Sequence, residues 1–372
     1  MNNLNTIMQT CHSINQADGC AALATVVRVQ GSAYRRPGTR MLILPDGKSI
    51  GSISGGCLEA DVKSRAAEVM RTGRSDYVVY DPSSTNGDVV AELGCKGVVG
   101  VLIECLPHSP AMEGLQYLSK CSESRQSASM VTVYRSEAPG RFPVGSRLLF
   151  CEGNAISAGY PAAIQSLLLE AAREAFRSGR PHTVSVQHGG FALEALAEPI
   201  VPPIRLIVAG AGDDANPLVR IAEETGWDVV RAAWQSPHPL ACTNLPTTLL
   251  HSASEIAAFI QHNPMDARTA CVLMNHNYQR DLDWLNALLP HSPGYIGILG
   301  PRKRYEQMVA DLGKTGQLTR LSENQRVFSP AGLDIAAETP VEIALAILAE
   351  IQAVICGASG GSLRNRIGSI HA

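Results

Sequence analysis

Two short glycine-bearing turns each carry a thiol. The first is Gly51-Ser-Ile-Ser-Gly-Gly-Cys57-Leu-Glu59. Glycines let backbone amides approach a ligand, and a helix N-terminus attracts negative charge and lowers a cysteine pKa. Leu58, Val62, Ala66 and Val69 recur at three- and four-residue spacing, which predicts an amphipathic helix over 57–72 with Cys57 at its start. The segment offers an anion cradle on Gly55 and Gly56 beside a reactive sulfur. Equally open is a tight strand-to-helix turn with Cys57 as a small core residue. The second turn is Gly94-Cys95-Lys96-Gly97, where the adjacent cation would depress the Cys95 pKa.

Anion-recognising chemistry recurs elsewhere. Gly31-Ser-Ala-Tyr-Arg35-Arg36-Pro-Gly38 is a basic loop between two predicted strands, and Arg35 and Arg36 could supply bidentate recognition of phosphate or simply face solvent. Gly210-Ala-Gly212-Asp-Asp-Ala215 follows an apolar strand and opens a helix, the context of a dinucleotide fingerprint. Asp213 and Asp214 oppose a pyrophosphate there, and no acid stands near the end of the following strand to hold a ribose. Arg231 is the residue left to meet a 2′-phosphate.

Asn275-His276-Asn277 lies past another strand, where loops line the ligand crevice of a parallel sheet. His276 is therefore a candidate general acid or base with Asp281 nearby, or a solvated residue beside a helix cap at Asn277. Gly297-Ile-Leu-Gly300-Pro-Arg302-Lys303-Arg304 places three cations in a first helical turn, which calls for an anionic ligand or a solvated basic surface.

The elements that must position these residues change character along the chain. Up to about residue 199 the pattern is mixed α and β. Strands are predicted at Ala21 to Val29, Arg40 to Leu44, Lys48 to Ile53, Tyr77 to Tyr80, Val98 to Glu104, Ser129 to Tyr134 and Arg147 to Cys151, and a helix over 161–178. No internal repeat is obvious. Pro199-Ile-Val-Pro-Pro203 marks a boundary. Beyond it strands alternate with helices, which predicts a parallel sheet covered on both faces. The expected architecture is an α/β chain with an N-terminal α+β domain over 1–199 and a C-terminal Rossmann-like doubly wound domain over 200–372.

The whole chain has 372 residues, enough for two cores, and a net charge of −3. That balance gives no support for nucleic-acid or polybasic membrane binding. The N-terminus lacks a signal-peptide pattern, and the most apolar run, Val341 to Cys356, is broken by Glu342 and Glu350. A cytoplasmic protein is expected. Its 10 cysteines form no C-x-x-C pair, so free thiols and no metal site are expected.

In order and spacing these motifs resemble the XdhC/CoxI family of accessory proteins for molybdenum hydroxylases. The resemblance spans nearly the whole chain. It rests on Gly31-Ser-x-x-Arg35, Gly38-x-x-Met41, Gly51 to Glu59 and Leu93-Gly-Cys95. It continues with Gly210-Ala-Gly212, His276 with Asp281, Tyr295-Ile-Gly-x-Leu-Gly300, Arg302-Lys303, Gly332-Leu-Asp-Ile335 and Thr339-Pro-x-Glu-Ile343. Departures fall mostly in the second half: Asn275-His276-Asn277 replaces the family's Thr-His-Asp, and Pro301 stands where serine is common.

The resemblance implies a chaperone that binds the molybdenum cofactor as cargo, assists its sulfuration with a cysteine desulfurase, and delivers it to a xanthine dehydrogenase-like apo-enzyme. Arg35, Arg36, Gly55 and Gly56 would hold the pterin phosphate, and Cys57 and Cys95 would handle the metal or its sulfur. Gly210, Gly212, His276 and Arg302 would form the second-half site. A homo-oligomer, taken as a dimer, is expected. The alternative is an NAD(P)-dependent oxidoreductase built on the Rossmann-like domain, with His276 as acid or base.

Overall fold

The computed structural model describes residues 4–16, 19–31, 33–56, 58–82, 97–107, 109–151, 154–157, 160–234, 246–314 and 326–367. Two compact units account for them, Asn3–Pro202 and Pro203–Ile367. Cys57, Cys95 and Lys96 lie outside the described residues.

The N-terminal unit opens with α1 (Leu4–Gln16), then β1 (Ala21–Gln30), β2 (Arg40–Ile43), β3 (Ser49–Gly51), α2 (Glu59–Thr72), β4 (Asp76–Tyr80) and β5 (Val98–Leu106). The same series then returns as α3 (Ala111–Ser124), β6 (Ala128–Ser136), β7 (Arg147–Cys151), β8 (Asn154–Ser157), α4 (Ala162–Ser178), β9 (His182–His188) and β10 (Phe191–Ile200). Each series makes a 5-stranded antiparallel sheet, in the orders β3-β2-β1-β5-β4 and β8-β7-β6-β10-β9. The two orders are identical once β6 is set against β1. The unit is an internal duplication, which corrects the expectation of no repeat.

Packing repeats with the topology. Val62, Ala66 and Val69 of α2 cover one face of the first sheet, and Leu168, Ala172 and Ala175 of α4 cover the second. Both helices end on a left-handed glycine, Gly73 and Gly179, whose amide closes the last turn. Helices α1 and α3 share one core with Leu23, Leu42 and Leu106 of the first sheet and Met130 and Ile200 of the second. A smaller cluster of Val27, Leu102, Tyr134 and Leu196 draws one residue from β1, β5, β6 and β10 in turn.

The C-terminal unit alternates strands with helices: β11 (Arg205–Ala209), α5 (Ala215–Glu224), β12 (Asp228–Trp234), β13 (Thr247–Leu250), α6 (Ala253–His262), β14 (Thr269–Leu273) and α7 (Tyr278–Leu288). β15 (Tyr295–Ile298), α8 (Arg302–Lys314), β16 (Val327–Phe328) and α9 (Pro340–Ile355) follow. The 6-stranded sheet is parallel throughout, in the order β13-β12-β11-β14-β15-β16. One face packs on α6, α7 and α8, and the other on α5 and α9. This is the doubly wound Rossmann arrangement, whose order reverses beside β11 and leaves a crevice at the strands' carboxyl ends. Thr339 caps α9 in a reciprocal box with Glu342, and Pro340 opens its first turn. Among the described residues no helix is long and apolar enough to cross a membrane.

Candidate functional site

In the N-terminal unit the loop after β1 and the turn before α2 meet. A β-carbon placed on Gly55 would lie 3.8 Å from the Tyr34 ring, so Tyr34 stands over the glycine turn while remaining 59 % exposed. Arg35, Arg36, Gly55 and Gly56 are all exposed around it. Four candidate residues taken from separate motifs therefore occupy one neighbourhood.

The backbone of that loop is pinned from several directions. The Gly38 amide donates to Val26 O at 2.8 Å, and the Thr39 hydroxyl donates to Arg36 O at 2.8 Å. Gly38 has φ of 90°, and a β-carbon there would fall 2.5 Å from Glu198 Oε2. Only glycine suits both the left-handed backbone and the close carboxylate. Arg40 Nη1 donates to Gly38 O at 2.7 Å, and Arg40 meets the Glu198 carboxylate through two nitrogens, at 3.1 and 2.5 Å.

The turn before α2 is organised by Ser54 and Glu59. The Glu59 carboxylate accepts from the Ser52 hydroxyl and the Ser54 amide, each at 3.0 Å, and from the Ser54 hydroxyl. Burial raises the Glu59 pKa, but the hydrogen bonds from Ser54 and Ser52 outweigh it and hold the carboxyl below its ordinary value. Ser54 Oγ in turn accepts from the amides of Gly56 at 3.1 Å and Leu58 at 3.2 Å. The Gly56 amide thus caps the turn from within. The helix begins at Glu59, two residues later than the periodicity predicts, because residues up to Leu58 are used in this turn.

In the C-terminal unit Gly210, Gly212 and His276 converge at the carboxyl ends of β11 and β14. A β-carbon on Gly210 would meet Met274 O at 2.5 Å, and one on Gly212 would lie 3.2 Å from His276 Nε2. His276 has φ of 51°, and its Nε2 lies 3.0 Å from Asp214 Oδ2. Strained backbone of this kind is typical of functional loops. Asp214 Oδ1 is buried and has no hydrogen-bond partner among the described residues. It is an acceptor facing the glycine turn, which is unsuited to a pyrophosphate.

Two expectations are corrected here. The carboxylate beside His276 is Asp214; Asp281 is fully buried and accepts from Asn275 Nδ2 at 2.7 Å while Arg304 Nη2 stands 2.8 Å away. Burial raises the Asp281 pKa against the lowering effect of Asn275 and Arg304. Arg231 is 1 % exposed and turned inward, donating to Gly210 O at 3.0 Å and Asn216 Oδ1 at 3.0 Å, so it does not present itself to a 2′-phosphate. Arg302, exposed in the first turn of α8, pairs with Glu306 at 3.2 Å. The cation of that basic turn that reaches the buried interior is Arg304. Asn277 caps α7 by accepting from the Arg280 amide.

Sequence reasoning missed Glu198, Glu104, the pairing of Asp214 with His276 and the inward turn of Arg231. The signal was available for Glu104, the lone acid of an otherwise apolar strand, where burial demands a partner, whereas Glu198 shares β10 with Glu194. Among the described residues no cluster of His, Cys, Asp and Glu could hold a metal ion.

Residues 15–81 match the sequence profile of the XdhC and CoxI family, and residues 206–351 match that of the XdhC Rossmann domain. A Bacillus subtilis protein named as a probable xanthine dehydrogenase subunit is 32 % identical over 89 % of this chain and 92 % of its own length. The Escherichia coli molybdenum cofactor insertion chaperone PaoD is 25 % identical over 90 % of this chain and 83 % of its own. A crystal structure from Bacillus halodurans, described as a xanthine dehydrogenase, superposes with a TM-score of 0.69 at 24 % identity, covering 98 % of both chains. That likeness concerns the fold.

Proposed function

The chain belongs to the XdhC and CoxI family, and on that premise we propose that it is an accessory chaperone that binds the molybdenum cofactor and hands it to a molybdenum hydroxylase. The observation that carries this reading is the meeting of the Arg35–Arg36 loop with the Gly55 turn under an exposed tyrosine. The cargo is a planar pterin with a phosphate tail and a sulfur-ligated metal. Arg35 and Arg36 supply the phosphate contacts, because a guanidinium presents paired donors matched to phosphate oxygens. The Gly55 amide adds a backbone donor.

Cys57, next in sequence after Gly56, is the thiol assigned to the metal's sulfur, with Cys95 as a second. A thiolate is the reactive form, and a cationic neighbourhood favours it. Sulfuration of the cargo with a cysteine desulfurase, delivery to a xanthine dehydrogenase-like apo-enzyme and assembly as a homo-oligomer complete the proposal. The named relatives, a molybdenum cofactor insertion chaperone and a probable xanthine dehydrogenase subunit, support the client class.

The test is direct. The protein is purified from cells with and without cofactor synthesis, and bound pterin is measured after oxidation to its fluorescent derivative. Cofactor above the level of a control protein, lost in Arg35→Ala with Arg36→Ala, is the expected result. Absence of pterin from the wild-type protein sinks the proposal. Titration with NAD, NADH, NADP and NADPH on the same sample decides the oxidoreductase alternative.

A further inference from the structure

The duplication of the N-terminal unit makes one half a reference for the other, and the comparison isolates what is special about the ligand loop. Gly38 and Arg40 of the first copy correspond to Gly145 and Arg147 of the second at one constant spacing, as do Thr25 to Thr132, Val26 to Val133 and Arg28 to Arg135. The pairing of β1 with β5 slips between Val26 and Arg28, and that of β6 with β10 slips between Val133 and Arg135. Gly145 donates to Val133 O at 2.7 Å, and the Ser146 hydroxyl donates to Pro143 O at 2.6 Å, repeating the bonds of Gly38 and Thr39. Arg147 donates to Gly145 O at 2.5 Å, as Arg40 does to Gly38 O.

Each arginine then reaches across to a glutamate of the other copy. Arg40 of β2 pairs with Glu198 of β10, and Arg147 of β7 pairs with Glu104 of β5 at 3.0 and 2.6 Å. Both pairs are bidentate and nearly excluded from solvent. A β-carbon on Gly145 would lie 2.5 Å from Glu104 Oε1, the same obstruction that Glu198 presents at Gly38.

The two loops share a backbone and differ in what they carry. In the second copy Phe142 is 2 % exposed and stacks on Tyr160, closing the space between its loop and the turn before α4. In the first copy the corresponding space lies between Tyr34-Arg35-Arg36 and Gly55-Gly56, all exposed. One copy is plugged by aromatic side chains, and the other presents two guanidinia.

We propose that the duplicated unit divides its labour: the first copy binds the ligand, and the second copy holds that site in shape, with Glu198 as a positioning residue acting through Arg40 on the Arg35–Arg36 loop. Glu198 never touches the ligand. It fixes the Arg40 guanidinium, which fixes Gly38 O, and the adjoining bonds to Val26 and Arg36 set where the two arginine stems leave the backbone. The assignment of the ligand to this loop rests on the function proposed above; the clamp across the duplication does not.

The experiment compares Glu198→Gln with Glu104→Gln, two equivalent neutralisations, by amide hydrogen exchange on the full chain. Glu198→Gln is expected to speed exchange over 36–40 by about tenfold and leave 138–147 near wild type, and Glu104→Gln is expected to do the reverse. Glu198→Asp, which keeps the charge, gives an intermediate rate over 36–40, and it stands in if the glutamine variant does not fold. Cofactor retained on purification falls by about fivefold or more in Glu198→Gln and stays within about twofold of wild type in Glu104→Gln.

Unchanged exchange over 36–40 in the Glu198 variants overturns the proposal. So does equal loosening of both loops by either variant, which is what a purely global loss of stability gives. A loosened 36–40 segment with cofactor retention unchanged refutes the positioning role. If the wild-type protein holds no cofactor, the functional proposal fails, and the exchange measurement still decides the clamp.

Discussion

His276 Nε2 lies 3.0 Å from Asp214 Oδ2, and the contact exists because His276 takes a left-handed backbone, with φ of 51°. The turn after β14 folds the imidazole back over the glycine turn after β11. A β-carbon in that region is disfavoured, so replacing it separates backbone from side-chain effects. His276→Ala is expected to be less stable than His276→Gly by about 1 kcal/mol, measured by urea denaturation. The opposite order would show that residue 276 does not hold this conformation.

The Glu104–Arg147 pair is almost wholly buried, with side chains 0 % and 7 % exposed. Removing one partner strands a charge in the core. Glu104→Ala is expected to lower stability by about 3–5 kcal/mol, whereas Glu104→Leu combined with Arg147→Met recovers most of that loss. Chemical denaturation of the three proteins checks it. If the double replacement is no better than the single one, the hydrogen bond from Arg147 to Gly145 O is the dominant contribution.

Glu59 gives the turn before α2 a pH dependence of known sign. Its folded-state pKa lies below the ordinary value of 4.5, so the carboxylate's bonds to Ser52 and Ser54 contribute fully above that value and are lost as pH falls through the lowered one. Melting temperature measured between about pH 3 and 6 should fall more steeply for wild type than for Glu59→Gln. Parallel curves would remove Glu59 from the acid response.

The Rossmann half was legible because its strands are continuous apolar runs, such as Ile204 to Ala209, separated by periodic helices. The rule that loops at strand ends line the ligand site points to Gly210, Gly212 and His276, with Asp281 as the expected carboxylate beside His276. Asp281 is nearer in sequence, but Asp214 is brought close by the β11–β14 pairing, which local spacing does not encode. The duplication escaped notice for a related reason. The repeated features are backbone requirements and buried pairs, such as Gly38 and Gly145 or Arg40 and Arg147, scattered among side chains that the two copies have changed. The hairpin of β9 and β10 is absent from the predicted strands, although Gly189-Gly190 stands between its two arms as a two-residue turn.

The described thiols range from buried, through half-buried Cys20 and Cys151, to exposed. Burial pushes Cys11 up to about 11 and raises Cys105, Cys121 and the wholly buried Cys271, so their thiolate fractions at neutral pH are small. Cys356 is exposed. Alkylation of the native protein at about pH 7.5, read by peptide mass spectrometry, should modify Cys356 and spare Cys11 and Cys271 until the chain is denatured. Under the proposed function Cys57 reacts faster than Cys356, because handling the cargo's sulfur requires a thiolate, and bound cofactor slows it. Cys57 reacting no faster than Cys356, with or without cofactor, would leave the thiol no part in handling the cargo.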